Sequence, residues 1–99
     1  MKKRHFFVLA FLLFCVAATA ADAQKKVDLY LTSWCPYCRK LESFLKNHHI
    51  DYTRHDVEAD GASANEFERL GGEGIPLTRV GDKVIRGYDP DGIVKALKK

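Results

Sequence analysis

The sequence predicts an α/β domain built on a four-stranded mixed sheet flanked by helices on both faces, in the order βαβαββα. Apolar residues alternate with other residues over positions 27–31, which is typical of a strand, and helical spacing follows from position 36. A second strand-like run at positions 51–57 completes a strand–helix–strand crossover, which normally makes a parallel pair. A short turn at Gly81-Asp82 between two further runs predicts a hairpin.

Residue spacing defines the first three elements. Val27, Leu29 and Leu31 alternate with the residues between them and form the apolar side of the first strand. The first helix is expected from Pro36 to about Asn47. One face of this helix should pack on the sheet, and its members at helical spacing are Tyr37, Leu41, Phe44, Leu45 and His48. The second strand is expected from Asp51 to Val57.

A second helix is expected over residues 62–70, where Phe67 and Leu70 anchor it and Gly71-Gly72 ends it. The hairpin strands follow at residues 77–80 and 83–86.

The last helix begins at Asp89-Pro90, with Asp89 as its N-cap. Its inward-facing residues are expected to be Ile93, Val94 and Leu97.

Two cysteines separated by two residues, Cys35 and Cys38, lie between the first strand and the first helix. Pro36 suits the first helical position, because its missing N–H is not needed there and its fixed φ fits a helix. Cys35 is then the N-cap, where unpaired N–H groups and the helix dipole favour a thiolate, the nucleophile of disulfide exchange. We expect an accessible Cys35 and a less exposed Cys38 with a higher pKa, which acts as the resolving thiol. A structural disulfide or half of a zinc site is the alternative for this spacing.

Residues 1–23 have the three parts of a secretory signal peptide. The start is basic, an apolar run extends from Phe6 to Ala18, and small-x-small sites follow at residues 18–20 and 21–23. The apolar run is shorter than the roughly 18 residues of a spanning helix, and an uncleaved membrane anchor is the alternative. We therefore expect an exported, periplasmic protein with its domain at residues 24–99. Secretion or membrane anchoring are the other locations considered.

Most of the excess of basic over acidic residues lies in this predicted signal peptide. The full sequence has 16 Lys+Arg and 13 Asp+Glu residues, a net charge of +3. Without residues 1–23 the chain keeps 13 basic and 12 acidic residues, so nothing calls for a nucleic-acid partner. The only cysteines that remain are Cys35 and Cys38 of the motif. We therefore expect apolar packing, and not structural disulfide bonds, to stabilise the domain.

These motifs and their order resemble the glutaredoxin branch of the thioredoxin fold. Cys35-Pro36-Tyr37-Cys38 matches the dithiol active site of that family. Ile75-Pro76 matches its cis-proline segment, and Gly87-Tyr88-Asp89 matches its Gly-Gly-x-Asp turn. The resemblance covers the chain from Lys26 to the C-terminus.

The resemblance implies a thioredoxin-like fold and a role for each matched segment. The main chain of Ile75, beside a cis Pro76, would pair with an extended substrate near Cys35. An ordinary trans proline at an edge strand is the alternative for Pro76. The Gly87-Tyr88-Asp89 turn would receive the γ-glutamyl end of glutathione, and a capping role alone is equally open for Asp89. Trp34, Pro36 and Tyr37 complete the substrate-binding candidates around the cysteines.

The sequence departs from the family pattern at positions that bind glutathione. Thr32 stands where a Lys commonly precedes the first cysteine by three residues, and Arg86 stands where the turn has its first glycine. Pro90 removes an amide from the start of the last helix. Trp34 is similar to the Trp of the Trp-Cys pair in thioredoxins. Arg79 or Arg86 would have to supply the positive charge that this Lys provides in the family. The resemblance therefore supports glutathione as a substrate less strongly than it supports dithiol exchange.

The resulting prediction is an exported, glutaredoxin-like thiol–disulfide oxidoreductase that acts through Cys35 and Cys38. Its expected partners are disulfide-containing proteins or glutathione as a co-substrate, and it needs no metal or organic cofactor. We expect a monomer with no nucleic-acid partner, and with membrane contact only through an uncleaved N-terminal segment.

Two alternatives come from different functional classes. One is a metal or iron–sulfur carrier on the same cysteines, and the other is an interaction module that does not need them. His48, His49 and His55 are zinc ligands by type, but the pair at the helix end should lie roughly 15 Å or more from the cysteines.

Overall fold

The computed structural model describes residues 25–98, and the predicted order βαβαββα is confirmed in them. The elements are β1 (Val27–Leu31), α1 (Pro36–Asn47), β2 (Thr53–Asp56), α2 (Gly61–Arg69), β3 (Leu77–Val80), β4 (Lys83–Arg86) and α3 (Pro90–Lys98). Strand β2 is shorter than the predicted run of residues 51–57, because pairing with β1 begins only at Thr53.

The predicted signal peptide at residues 1–23 lies outside the described residues. Within residues 25–98, no helix combines the length and the hydropathy needed to cross a membrane.

The four strands form one mixed sheet in the order β2-β1-β3-β4. β1 and β2 run parallel, as the crossover predicts, whereas β3 is antiparallel to both β1 and β4. The register pairs Tyr30 near the end of β1 with Leu77 at the start of β3. The cysteine motif after β1 and the Ile75-Pro76 segment before β3 therefore emerge at the same end of the sheet.

Both faces of the central strand β1 are covered, so all five of its residues are buried. On one face, Val27, Leu29 and Leu31 share a hydrophobic cluster with residues of α1 and α3, namely Leu41, Leu45, Ile93 and Ala96. On the other face, the Tyr30 ring stacks on His55 with centroids 4.6 Å apart and lies 6.4 Å from the Phe67 ring of α2. The prediction of helices on both faces is confirmed.

The buried side of α1 differs from the predicted one. Cys38, Leu41 and Leu45 are buried, whereas Tyr37 and His48 are exposed, so their assignment to the packed face was wrong. Residues three and four apart line one side of a helix, and Cys38 begins that side in place of Tyr37. This places the second cysteine in the core.

The last helix shows a similar difference. Ile93 is buried as predicted, but the second fully buried residue is Ala96, and Val94 and Leu97 are only partly buried.

Helices α1 and α2 both end on a residue in the left-handed conformation. Gly71 has a φ of 75° after α2, and the Gly72 N–H donates to the Phe67 carbonyl at 2.9 Å, which confirms the predicted glycine stop. His49 has a φ of 55° after α1, and the Ile50 N–H donates to the Leu45 carbonyl at 2.9 Å. Because a Cβ is disfavoured in this conformation, His49 ends α1 at a cost that glycine would avoid.

A buried carboxylate on β1 connects the sheet to α2. Asp28 is 2% exposed, with its Oδ1 2.9 Å from His55 Nε2 and its Oδ2 3.2 Å from the donating Arg79 Nη2. Arg79 also donates to Glu66 of α2 at 3.3 Å. Burial alone would raise the pKa of Asp28, but the hydrogen bonds to His55 and Arg79 outweigh it and lower that pKa below 3.8. The carboxylate therefore stays charged inside the fold.

Candidate active site

The cysteine motif caps the first helix. Cys35 has an extended backbone (φ −79°, ψ 115°) and Pro36 occupies the first turn of α1. The Cys38 N–H donates to Cys35 Sγ at 3.1 Å, so the sulfur takes one of the otherwise unpaired amides of the helix start. The predicted N-cap position of Cys35 is confirmed. A sulfur in this position faces the positive end of the helix dipole, which stabilises negative charge.

Cys35 is more buried than we expected. It is 4% exposed, Cys38 is 1% exposed, and both belong to the hydrophobic cluster of α1 and α3. The expectation of a freely accessible Cys35 was wrong. Cys35 follows β1, an interior strand of the sheet, and its side chain packs in the hydrophobic cluster. Cys38 is the less exposed of the two, as predicted. The thiols are free and not joined in a disulfide.

The second thiol resists ionisation. Burial raises the pKa of Cys38 to about 12, and the hydrogen bond with the Cys35 side chain adds to the rise. The predicted higher pKa of Cys38 is confirmed. A thiol that stays protonated at neutral pH and touches its neighbour through a hydrogen bond is suited to react second.

Three exposed aromatic side chains surround the motif in the sequence and the fold. Trp34 is 61%, Tyr37 59% and Tyr88 42% exposed. The Trp34 Nε1–H donates to Glu58 Oε1 at 3.0 Å, and the Tyr37 and Tyr88 rings lie 6.0 Å apart. The contact between the rings brings the predicted Gly87-Tyr88-Asp89 turn to the start of α1. Exposed aromatic surface of this kind is typical of binding sites.

The Ile75-Pro76 peptide bond is cis, as predicted. Pro76 is buried, and its carbonyl accepts from the Gly87 N–H at 2.9 Å, which joins this segment to the turn before α3. Gly87 has a φ of 75°, a conformation that favours glycine. Within residues 25–98, no backbone hydrogen bond outside the helices and strands involves Ile75.

Asp89 caps α3. Its Oδ1 accepts from the Gly92 N–H at 3.0 Å, and its carbonyl accepts from the Ile93 N–H at 3.2 Å. The predicted capping role is confirmed, and a role in substrate binding stays a prediction. Asp89 also lines an open cleft of about 540 Å³ between β4 and α3, together with Arg86, and neither cysteine lines this cleft.

The cation missing at Thr32 is not replaced by the arginines that we considered. Thr32 is buried, and its Oγ1 has no hydrogen-bond partner among the described residues. Arg79 is held by Asp28 and Glu66 on the α2 side of the sheet. Arg86 donates to the Gly71 carbonyl at 2.6 Å.

Sequence reasoning missed Lys40. Its Nζ lies 5.8 Å from the Tyr37 ring centroid and 5.6 Å from the Tyr88 ring centroid. The three-residue spacing of Tyr37 and Lys40 would have shown that they share a side of α1. Their meeting with Tyr88 depends on the fold.

His48 and His55, which were considered as zinc ligands, contact other residues. His55 pairs with Asp28, and His48 Nδ1 lies 2.9 Å from the Phe44 carbonyl at the end of α1. Nowhere in residues 25–98 do three or more His, Cys, Asp or Glu side chains group in a way that could hold a metal ion.

Comparisons with known proteins agree with this geometry. A glutaredoxin-like 8.6 kDa protein from the rubredoxin operon of Clostridium pasteurianum, described as uncharacterized, is 28% identical over 74 residues. The match covers 74% of this chain and 99% of that protein.

Two solved structures share the thioredoxin-like fold. The crystal structure of a thioredoxin-like protein has a TM-score of 0.70 at 24% identity, covering 74% of this chain and 95% of its own. The glutaredoxin-like NrdH-redoxin from Escherichia coli has a TM-score of 0.65 at 21% identity, covering 71% and 92%.

A family model described as Glutaredoxin matches residues 27–85, which include the cysteine motif and the cis proline. With more than half of its length matched by that model, the chain belongs to the glutaredoxin family.

Proposed function

We propose that this chain is a thiol–disulfide oxidoreductase that exchanges two electrons with disulfides through Cys35 and Cys38. Family membership supports a thiol redox function, and one observation carries the specific proposal. Cys35 Sγ lies at the start of α1 and accepts the Cys38 N–H at 3.1 Å, while the pKa of Cys38 is raised to about 12. The two thiols are therefore placed for different steps.

The reaction proceeds by two exchanges. The Cys35 thiolate attacks one sulfur of a substrate disulfide, forms a mixed disulfide and releases the other sulfur as a thiolate, which takes a proton. Cys38 then loses its proton and attacks the Cys35 sulfur, and the remaining substrate sulfur leaves as a thiol. The chain ends with a Cys35–Cys38 disulfide and the substrate with two thiols, so two electrons have moved. A dithiol reductant, or two monothiols, returns the chain to its reduced form.

The second step matches the burial of Cys38. A thiol with a pKa of about 12 does not compete for external disulfides at neutral pH, because only its thiolate attacks. Its attack on Cys35 is intramolecular and needs no exposure to solvent. The slight exposure of Cys35 limits the reaction to substrates that present a sulfur closely to the helix start.

The substrates that we propose are protein disulfides, with glutathione disulfide as the small alternative. Exposed Trp34, Tyr37 and Tyr88 provide contact area, and the backbone of Ile75 is available to an extended segment. The departures from the family's glutathione-binding pattern at Thr32, Arg86 and Pro90 favour protein disulfides over glutathione.

We further propose an exported, periplasmic location, a monomeric state and independence of metals and organic cofactors. The basic start, the apolar run and the small residues of positions 1–23 support export. Both cysteines are committed to exchange in this account, so neither serves as a metal ligand.

A matched pair of variants tests the proposal. Cys38→Ser should accumulate a mixed disulfide on Cys35 when it is mixed with an oxidised protein substrate or with glutathione disulfide, because the resolving thiol is gone. Cys35→Ser should trap none at neutral pH. Mass spectrometry of the non-reduced protein identifies the partner and the cysteine.

Trapping on Cys38 and not on Cys35 would reverse the two roles. Stoichiometric metal in the purified wild type, with no turnover of any disulfide, would contradict the proposal and favour a metal carrier.

A further inference from the structure

Strand β4 forms one edge of the sheet, and within residues 25–98 it pairs only with β3. The Gly87 N–H donates to the Pro76 carbonyl at 2.9 Å, in register with the β3–β4 ladder. Only every second residue of an antiparallel strand bonds to a given neighbour, so the backbone groups of Ile85 also face β3. Those of Val84 and Arg86 therefore face away from the sheet. An open edge of this kind can pair with another strand.

The open edge borders the cleft between β4 and α3. All four residues of β4 line this cleft of about 540 Å³, and Ala96 lies on its α3 side. Since neighbouring residues of a strand point to opposite faces, a cleft that touches all four of them opens onto the edge of the sheet. Neither cysteine lines the cleft, so an occupant leaves both thiols free.

Lysine side chains gather at the end of the cleft next to the β3–β4 turn. Lys83 and Lys95 line the cleft and are exposed, and neither forms an ion pair with any residue of 25–98. Lys25 lies beside them, with its Nζ donating to the Ala96 carbonyl at 2.9 Å. The carboxylate in this adjoining pocket is that of Asp82. This end of the cleft therefore has an excess of positive charge.

The charge of this end indicates the occupant. Lysine on an edge strand opposes pairing with a like-charged strand, so a second copy of this chain meets repulsion. A segment with acidic side chains instead meets two unpaired cations, Lys83 and Lys95. The carboxylates that line the cleft, Asp89 and Asp91, lie at the other end, where α3 begins. On the opposite edge strand, β2, Arg54 is already paired with a glutamate at 2.9 Å.

We propose that the β4 edge binds an extended, acidic segment of a partner protein as a fifth strand, with carboxylates of the segment on Lys83 and Lys95. The backbone groups of Val84 and Arg86 form the hydrogen bonds, and the lysines select the acidic sequence. Side chains on one face of a strand recur at every second residue, so the acidic residues should alternate with others. The proposal goes beyond the proposed function, because it involves no disulfide and neither cysteine.

Three seven-residue peptides test this surface on the full chain. The first alternates Glu with Val and begins and ends with Glu. The second has Gln in place of each Glu, which removes the charge. The third keeps each Glu and has proline in place of each Val, which removes the N–H groups that would face β4. Fluorescence anisotropy of the labelled peptides at low salt gives each Kd.

The Glu peptide should bind about tenfold more tightly than the Gln peptide, which corresponds to about 1.4 kcal/mol and fits two exposed charge pairs. Lys83→Gln and Lys95→Gln should each weaken binding of the Glu peptide by about threefold. Lys46→Gln is the matched control and should leave the Kd unchanged, because Lys46 is exposed near the end of α1. The proline peptide should not bind, since it cannot form the hydrogen bonds of a strand.

Amide hydrogen exchange, followed by NMR with and without the Glu peptide, locates the contact. Exchange of the Val84 and Arg86 amides should slow when the peptide binds. Equal binding of the Glu and Gln peptides, binding of the proline peptide, or unchanged exchange at these two amides overturns the proposal and leaves the proposed function intact. Protection of both amides without peptide, in a chain that dimerises, also overturns it and assigns the edge to a second copy.

Discussion

Replacing Asp28 by Asn should destabilise the fold by about 3 kcal/mol. The carboxylate is 2% exposed and holds His55 at 2.9 Å and Arg79 at 3.2 Å, one on each of its oxygens. Hydrogen bonds to a charged group each contribute about 1.5–3 kcal/mol. The amide keeps one accepting oxygen, and Arg79 keeps Glu66 at 3.3 Å, so the loss is smaller than the sum of both bonds.

A domain of this size has a total stability of roughly 4–11 kcal/mol, so the variant should lose a large fraction of it. The midpoint of thermal unfolding should fall by about 12–24 °C, at about 4–8 °C for each kcal/mol. Urea unfolding at pH 7, followed by far-UV circular dichroism, measures the difference directly. Asp82→Asn is the matched control, because Asp82 is exposed in the β3–β4 turn, and its stability should stay within about 0.5 kcal/mol of the wild type.

The pH dependence adds a second test of the same residue. The pKa of Asp28 is lowered in the fold, so its contribution is present above the unfolded value of 3.8 and is lost as the pH falls through the folded value. The stability difference between wild type and Asp28→Asn should therefore shrink below about pH 4. A loss under 1 kcal/mol at pH 7, or a difference that does not change with acid, would refute a stabilising role for the buried network.

Three further outcomes are expected. His49→Gly should stabilise the fold by about 0.5–1 kcal/mol in urea unfolding, because glycine removes the cost of the left-handed conformation. Gly92→Ala should lose about 1 kcal/mol in the same assay, because its Cβ would overlap the capping carboxylate of Asp89. Between pH 9 and 12 the free energy of unfolding should fall, because Cys38 and Tyr52, whose pKa values are raised to about 12, lose protons more readily when unfolded.

Each of these outcomes has a control. His48→Gly should not gain stability, because His48 has an ordinary negative φ of −98°. Gly61→Ala should be neutral or mildly stabilising, because a Cβ there meets nothing within 4 Å. Tyr52→Phe should make the alkaline fall shallower. A gain in Gly92→Ala, or a flat stability curve above pH 9, would contradict the corresponding reasoning.

Local patterns predicted the elements and the framework of the site. Pro36 after Cys35 is sufficient to predict the N-cap. The preference of proline for the first helical position and the position of the cap are both local, because they depend only on adjacent residues. The glycines after α2 and Asp89 before α3 act in the same way through neighbours in sequence. The cis Ile75-Pro76 bond was expected from the family resemblance and not from the residues themselves.

Features that depend on contacts between distant segments could not be predicted. The burial of Cys35 follows from the central place of β1 in the sheet, which the sequence does not show. Helical spacing alone did not reveal that Tyr37 faces solvent and meets Tyr88. The partners of Asp28 come from β2 and β3, so an alternating strand pattern could not distinguish a buried ion pair from an exposed carboxylate.

The central claim is that Cys35 and Cys38 together transfer two electrons to a substrate disulfide. The most direct test mixes the reduced wild type with a limiting amount of a protein disulfide, counts the substrate thiols and locates disulfides in the chain by mass spectrometry. The account predicts one Cys35–Cys38 disulfide for each substrate disulfide reduced. Substrate reduction without formation of this disulfide, or no reduction at all, would contradict it.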